Sequence, residues 1–88
     1  MYLHLGNETI IKTEDIIGIF DIEGTTVSKH SRNFLKKAGK KGEAITVSYE
    51  LPKSFVVCKA KNEQKQRVYI SQISASTLLR RAELNIVE

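Results

Sequence analysis

The order of apolar and polar residues along the chain predicts its elements. Tyr2 to Leu5 and Thr9 to Lys12 are short strand candidates on either side of Gly6-Asn7, a favourable hairpin pair. Ile16 to Phe20 is apolar throughout, with Gly18 inside, and reads as a strand covered on both faces. Gly18 leaves a gap where another group can approach. Gly24 breaks the chain, and Thr25 or Thr26 can cap a following helix. At about 100° per residue, Val27, Phe34, Leu35 and Ala38 share one side of that helix. Lys29, Arg32, Lys36 and Lys40 share the opposite side, and Gly39 or Gly42 supplies the stop.

Ile45, Val47 and Tyr49 then alternate with Thr46 and Ser48, as in a half-buried strand. Pro52 marks a turn. Ser54 to Ala60 and Val68 to Ile73 are strands that can pair across the polar stretch Asn62 to Gln66. Last, Ser74 or Ser76 caps a helix with Ala75, Leu78, Leu79 and Ala82 inward and Arg80, Arg81 and Glu83 outward. The order is strands, helix, strands, helix. It predicts a single α+β domain over residues 1–88, with a small, mostly antiparallel β-sheet and two helices.

Composition narrows the setting. Hydrophobic residues make up 41% of 88 residues, which supports a core but a small one, so self-association is expected. Cys58 is the single cysteine; with no partner for a disulfide, it points to a reducing, cytoplasmic compartment. No apolar run approaches the roughly 18 residues of a membrane span, and the start of the chain does not read as a signal peptide. The net charge of +4 is unevenly spread. Through Ser28, Lys12 stands against five acids, a balance of −4; from Lys29 onward, thirteen basic residues stand against five acidic ones, a balance of +8. Such polarity suits an acidic partner or a head-to-tail partner of the same kind.

Four segments, taken together, resemble the RemA/RemB family of bacterial extracellular matrix regulators. They are Met1-Tyr2-Leu3-His4-Leu5-Gly6, Asp15-Ile16-Ile17-Gly18-Ile19-Phe20-Asp21, Pro52-Lys53-Ser54-Phe55-Val56-Val57 and Ile73-Ser74-Ala75-Ser76-Thr77-Leu78. The resemblance implies a cytoplasmic protein that assembles into rings and acts in biofilm and matrix gene expression. For RemA-like members it also implies binding to promoter DNA. Those members carry an arginine before the second apolar strand and an arginine pair after a Tyr-Gly. The matching positions here hold Asp15, Glu50 and Leu51, so any DNA contact must use other residues.

Several short patterns invite chemistry. Phe20-Asp21-Ile22-Glu23-Gly24-Thr25-Thr26 resembles the nucleophile motif of haloacid dehalogenase-type phosphatases. The chain lacks the downstream acidic pair and the length for that fold, so the bland reading, acids flanking a strand end, is preferred. His4, His30 and Cys58 lack zinc-motif spacing, and Cys58 in an apolar strand reads as a packed thiol. Gly39-Lys40-Lys41-Gly42 lacks the Ser/Thr of a phosphate loop. No catalytic residue, metal site or cofactor is expected, and the chain does not read as an enzyme.

One pattern stands out. Lys29, Arg32, Lys36, Lys37, Lys40 and Lys41 fall within thirteen residues that contain no acid. Such density suits nucleic acid, because each neutralised phosphate releases counterions. The competing reading is a solvated helix face, usually with acids interleaved. Two functions therefore stand side by side: an oligomeric regulator that binds double-stranded DNA through this face, or an oligomeric scaffold without DNA contact that acts on a RemA-like protein partner.

Overall fold

The computed structural model describes residues 1–22, 29–48 and 50–86, with the side chains of 29–31 and 84–86 outside the description. The elements are β1 (Tyr2–Gly6), β2 (Thr9–Lys12), a 3-10 turn (Thr13–Asp15), β3 (Ile16–Asp21), α1 (Lys29–Lys40), β4 (Ala44–Thr46), β5 (Ser54–Cys58), β6 (Arg67–Ser71) and α2 (Ala75–Ile86). This is the expected α+β order. The β1–β2 hairpin stands apart from a four-stranded sheet of order β3-β5-β6-β4. β3–β5 and β5–β6 are antiparallel, and β4 runs parallel to β6.

The hairpin turns one residue later than the sequence suggests. Asn7 and Glu8 both have positive φ, 49° and 65°, as a type I′ turn requires, while Gly6 ends β1 at φ 101°. A side chain on Gly6 would meet the Gln72 amide. The Asn7 amide donates to the Val47 carbonyl at 3.0 Å, which ties the turn to the chain leaving β4.

Each face of the sheet has its own core. On one face Val56, Cys58 and Tyr69 pack under Leu3, Leu5 and Ile11 of the hairpin and Leu78 and Ala82 of α2. On the other, Phe55, Val57 and Val68 meet Ala38 of α1, with Phe34 and Leu35 partly buried beside them. All five residues of β5 are buried, as a central strand covered on both faces should be. Two buried serines fasten the layers. Ser71 donates to the Leu5 carbonyl at 2.8 Å and Ser54 to the Ile73 carbonyl at 2.7 Å. Ser74 caps α2, its hydroxyl accepting from the Thr77 N–H.

Three expectations change. Ile16 to Phe20 is not covered on both faces, because β3 is an end strand. Ile17 sits where the register slips and is 62% exposed, and Phe20 is 43% exposed. The Phe20 ring lies over Gly18 and stacks on Phe55 at 4.9 Å, so the gap at Gly18 is filled from within the strand. Leu79 is not inward: it lies at the margin of α2 and lines a shallow groove with Ile16 and Ile19. Ile45 and Val47 do share a face, but only Val47 is buried; Ile45, on the other end strand, stays 39% exposed. Tyr49 and the proposed caps Thr25 and Thr26 lie outside the described residues.

Candidate nucleic-acid interface

α1 is stopped by Gly42. The Glu43 N–H bonds the Ala38 carbonyl and the Gly42 N–H bonds the Gly39 carbonyl, with Gly42 at φ 72°. This Schellman arrangement needs a left-handed residue, which glycine supplies at little cost. It fixes where the basic run leaves the helix: Lys40 is the last helical residue and Lys41 the first beyond it.

The same helix separates its faces cleanly. Phe34, Leu35 and Ala38 turn to the sheet, and the Phe34 ring stacks on Phe55 at 5.9 Å. Arg32, Lys36, Lys37, Lys40 and Lys41 are all exposed. Among the described residues none of these five has an ion-pair partner; the salt bridges there join Met1 to Glu14 and Arg67 to Asp15 and Glu63. Lys29 opens α1, and its side chain lies outside the described residues. Lys37 and Lys40 in the last turn also suit the negative end of the helix dipole. From Arg32 to Lys40 the exposed cations run along about 12 Å of helix axis, at 1.5 Å per residue. This row can neutralise a phosphate backbone.

A second charged group lies against the opposite face of the sheet and was not foreseen from sequence. The Arg67 guanidinium is 3.0 Å from Glu63 and 3.6 Å from Asp15, and it donates to the Tyr69 hydroxyl at 2.8 Å. Asp15 also accepts the Lys59 N–H through its carbonyl, so this corner joins β3, β5 and the loop after β5. Glu63, Arg67 and Tyr69 lie within seven residues of one another, and only Asp15 comes from a distant segment. The group borders an open cleft of about 620 Å³ lined by Tyr2, Ile10, Asp15, Glu63 and Arg67 among others. Cys58 lies beneath. Burial pushes its thiol up to about 11; Arg67 opposes that shift, and Asp15 and Glu63 add to it. Cys58 is fully buried, which matches the packed, unreactive thiol expected of it.

The remaining candidates are scattered. Asp21 is the last residue of β3, opposite Ser54, and Glu23 lies outside the described residues. His4 is exposed on β1 and Cys58 buried in β5, and no cluster of metal-binding side chains occurs among the described residues. Glu50 and Leu51 are exposed in the turn before β5, with Leu51 at 83%. No helix among the described residues is long and apolar enough to cross a membrane.

The profile of the family described as RemA-like, extracellular matrix regulatory protein A-like, matches residues 2–82. The chain belongs to this RemA-like family. It is also 39% identical, over 83 residues, to extracellular matrix regulatory protein B of Bacillus subtilis (strain 168); the match covers 94% of this chain and 91% of that protein. In this RemA-like chain Asp15 pairs with Arg67.

Proposed function

We propose that this chain is a non-catalytic cytoplasmic regulator of bacterial matrix and biofilm gene expression, working as an oligomer that binds double-stranded DNA through the basic face of α1. Its membership of the RemA-like family supports the regulatory role. The observation that carries the DNA reading is the α1 face itself: five exposed cations, none with an acidic partner among the described residues. A surface of this kind binds phosphates without reading bases, and repetition of the face in an assembly gives avidity. Oligomerisation is supported by apolar groups left exposed in so small a domain, Ile17, Phe20, Ile45 and Leu51 among them.

A specific observation favours the second reading, a scaffold that acts on a RemA-like protein without touching DNA. By the resemblance, Asp15, Glu50 and Leu51 match the positions of the RemA-type arginines, and Asp15 pairs with Arg67. Mass measurement in solution, with and without generic duplex DNA, separates the two. The DNA reading expects a multi-subunit species that gains mass with duplex at low salt. An oligomer that ignores duplex at low salt leaves the scaffold reading in its place.

A further inference from the structure

We infer that Gly39 is the seat on α1 where the sugar-phosphate backbone of duplex DNA comes closest to the helix. The inference rests on the DNA reading above and adds the point of contact. Gly39 is an exposed residue inside the helix, and the left-handed stop falls to Gly42. Neither the backbone nor the packing asks for glycine at 39. Its φ is not positive, unlike that of Gly6 and Gly42. A Cβ built on Gly6 would meet Gln72, and one built on Gly18 would meet Phe20. Among the described residues, nothing lies within 4 Å of a Cβ built on Gly39. Alanine would fit there and would favour the helix, since glycine gives up more backbone freedom on folding.

Glycine leaves bare backbone in the midst of the cations. Gly39 follows Lys36 by three residues and Arg32 by seven, so it shares their face, and Lys40 is its neighbour. The missing side chain makes a shallow notch between these cations, and close approach of a ligand to backbone is one use of glycine. A phosphate in the notch sits nearer the helix than a side chain would allow, within reach of cations on both sides. The last carbonyls of the helix do not stand free to repel it. Those of Lys37, Ala38 and Gly39 accept from the N–H groups of Lys41, Glu43 and Gly42. Glu43, the nearest acid along the chain, is half-buried and follows Gly42; there the chain has left the helix, and the Glu43 carbonyl accepts the Val68 N–H of β6.

The test places an uncharged side chain in the notch. Gly39→Ala and Gly39→Gln keep all five exposed cations and suit a helix. Circular dichroism should show both folded, and Gly39→Ala should melt above the parent. Titration of duplex DNA over a range of salt should show Gly39→Ala binding more weakly than the parent and Gly39→Gln more weakly again. Loss of one phosphate contact flattens the log–log salt slope by about 0.9, which is roughly eightfold in affinity at about 0.1 M salt. That is the change expected for Gly39→Gln. A charged face without a seat would keep its slope when a neutral group is added. A folded Gly39→Gln with the slope of the parent therefore overturns the inference and leaves the α1 reading standing. A Gly39→Ala protein that melts well below the parent overturns it as well, because glycine at 39 is then required by the fold. A parent that does not bind duplex at low salt removes the DNA reading and this inference with it.

Discussion

Two groups of cations lie on opposite faces of one sheet, and they are handled in opposite ways. Arg67 is held by Asp15, Glu63 and the Tyr69 hydroxyl at a half-buried corner. Arg32, Lys36, Lys37, Lys40 and Lys41 are exposed and have no acidic partner among the described residues. A partly buried charge must be paired, because desolvation is costly. An exposed charge need not be, and a row of them without partners contributes little to folding. The difference separates a structural cation from cations free to meet an external anion. Their roles should come apart experimentally: changes near Arg67 act on stability, and changes on α1 act on binding.

The largest expected effect lies under the paired corner. The Cys58 thiol is raised to about 11 by burial from an ordinary value of 9.0. The folded state therefore keeps its proton after the unfolded chain has lost it. Stability from this group is complete below pH 9 and falls as pH rises from 9 towards 11, by roughly 2–3 kcal/mol at 1.36 kcal/mol per pKa unit. Urea unfolding across that range should show the fall in the parent, and Cys58→Ala should flatten it from a lower starting stability. A parent curve that is level between pH 9 and 11 would contradict the burial account.

Removing Arg67 comes next. Arg67→Ala leaves Asp15 and Glu63 facing each other without a counter-ion. The corner is partly open to water, so a loss of about 1–3 kcal/mol is expected, below the value for a fully buried pair. Chemical denaturation measures it, and duplex binding by the folded variant should be unchanged. The smallest effect belongs to α1. Lys36→Ala or Lys40→Ala should shift stability by no more than about 0.5 kcal/mol, as surface changes usually do. A much larger loss in thermal melts would mean that these lysines hold the fold together.

The two groups also differ in how far sequence reveals them. The α1 face follows from local spacing: cations at 32, 36 and 40 against Phe34, Leu35 and Ala38, with Gly42 ending the helix where one of two glycines had to. The hairpin, β5 and the Ser74 cap are legible for the same reason, since each is written within a few residues. The Arg67 corner adds residue 15 to the nearby residues 63, 67 and 69, and only the folded sheet brings Asp15 to them. β3 misled for a different reason. An apolar run reports that both faces avoid water, but not whether the cover comes from the same chain. Ile17 and Phe20 lie exposed in the single chain, where the run had implied burial. Leu79 shows the limit of helical periodicity, which places a residue on a side but not at the centre or margin of that side.

The central claim, that the unpaired face of α1 meets nucleic acid, is tested most directly by titrating duplex DNA with the parent and with the Lys36→Glu/Lys40→Glu double variant at low and moderate salt. Both side chains are exposed and lie away from Phe34 and Ala38, so circular dichroism should be the same for the two proteins. The parent should bind at low salt and weaken with a log–log slope of about −4 to −5, at about −0.9 per phosphate contact. The double variant should not bind measurably. Binding by the folded double variant equal to that of the parent, or no binding by the parent at low salt, would contradict the claim.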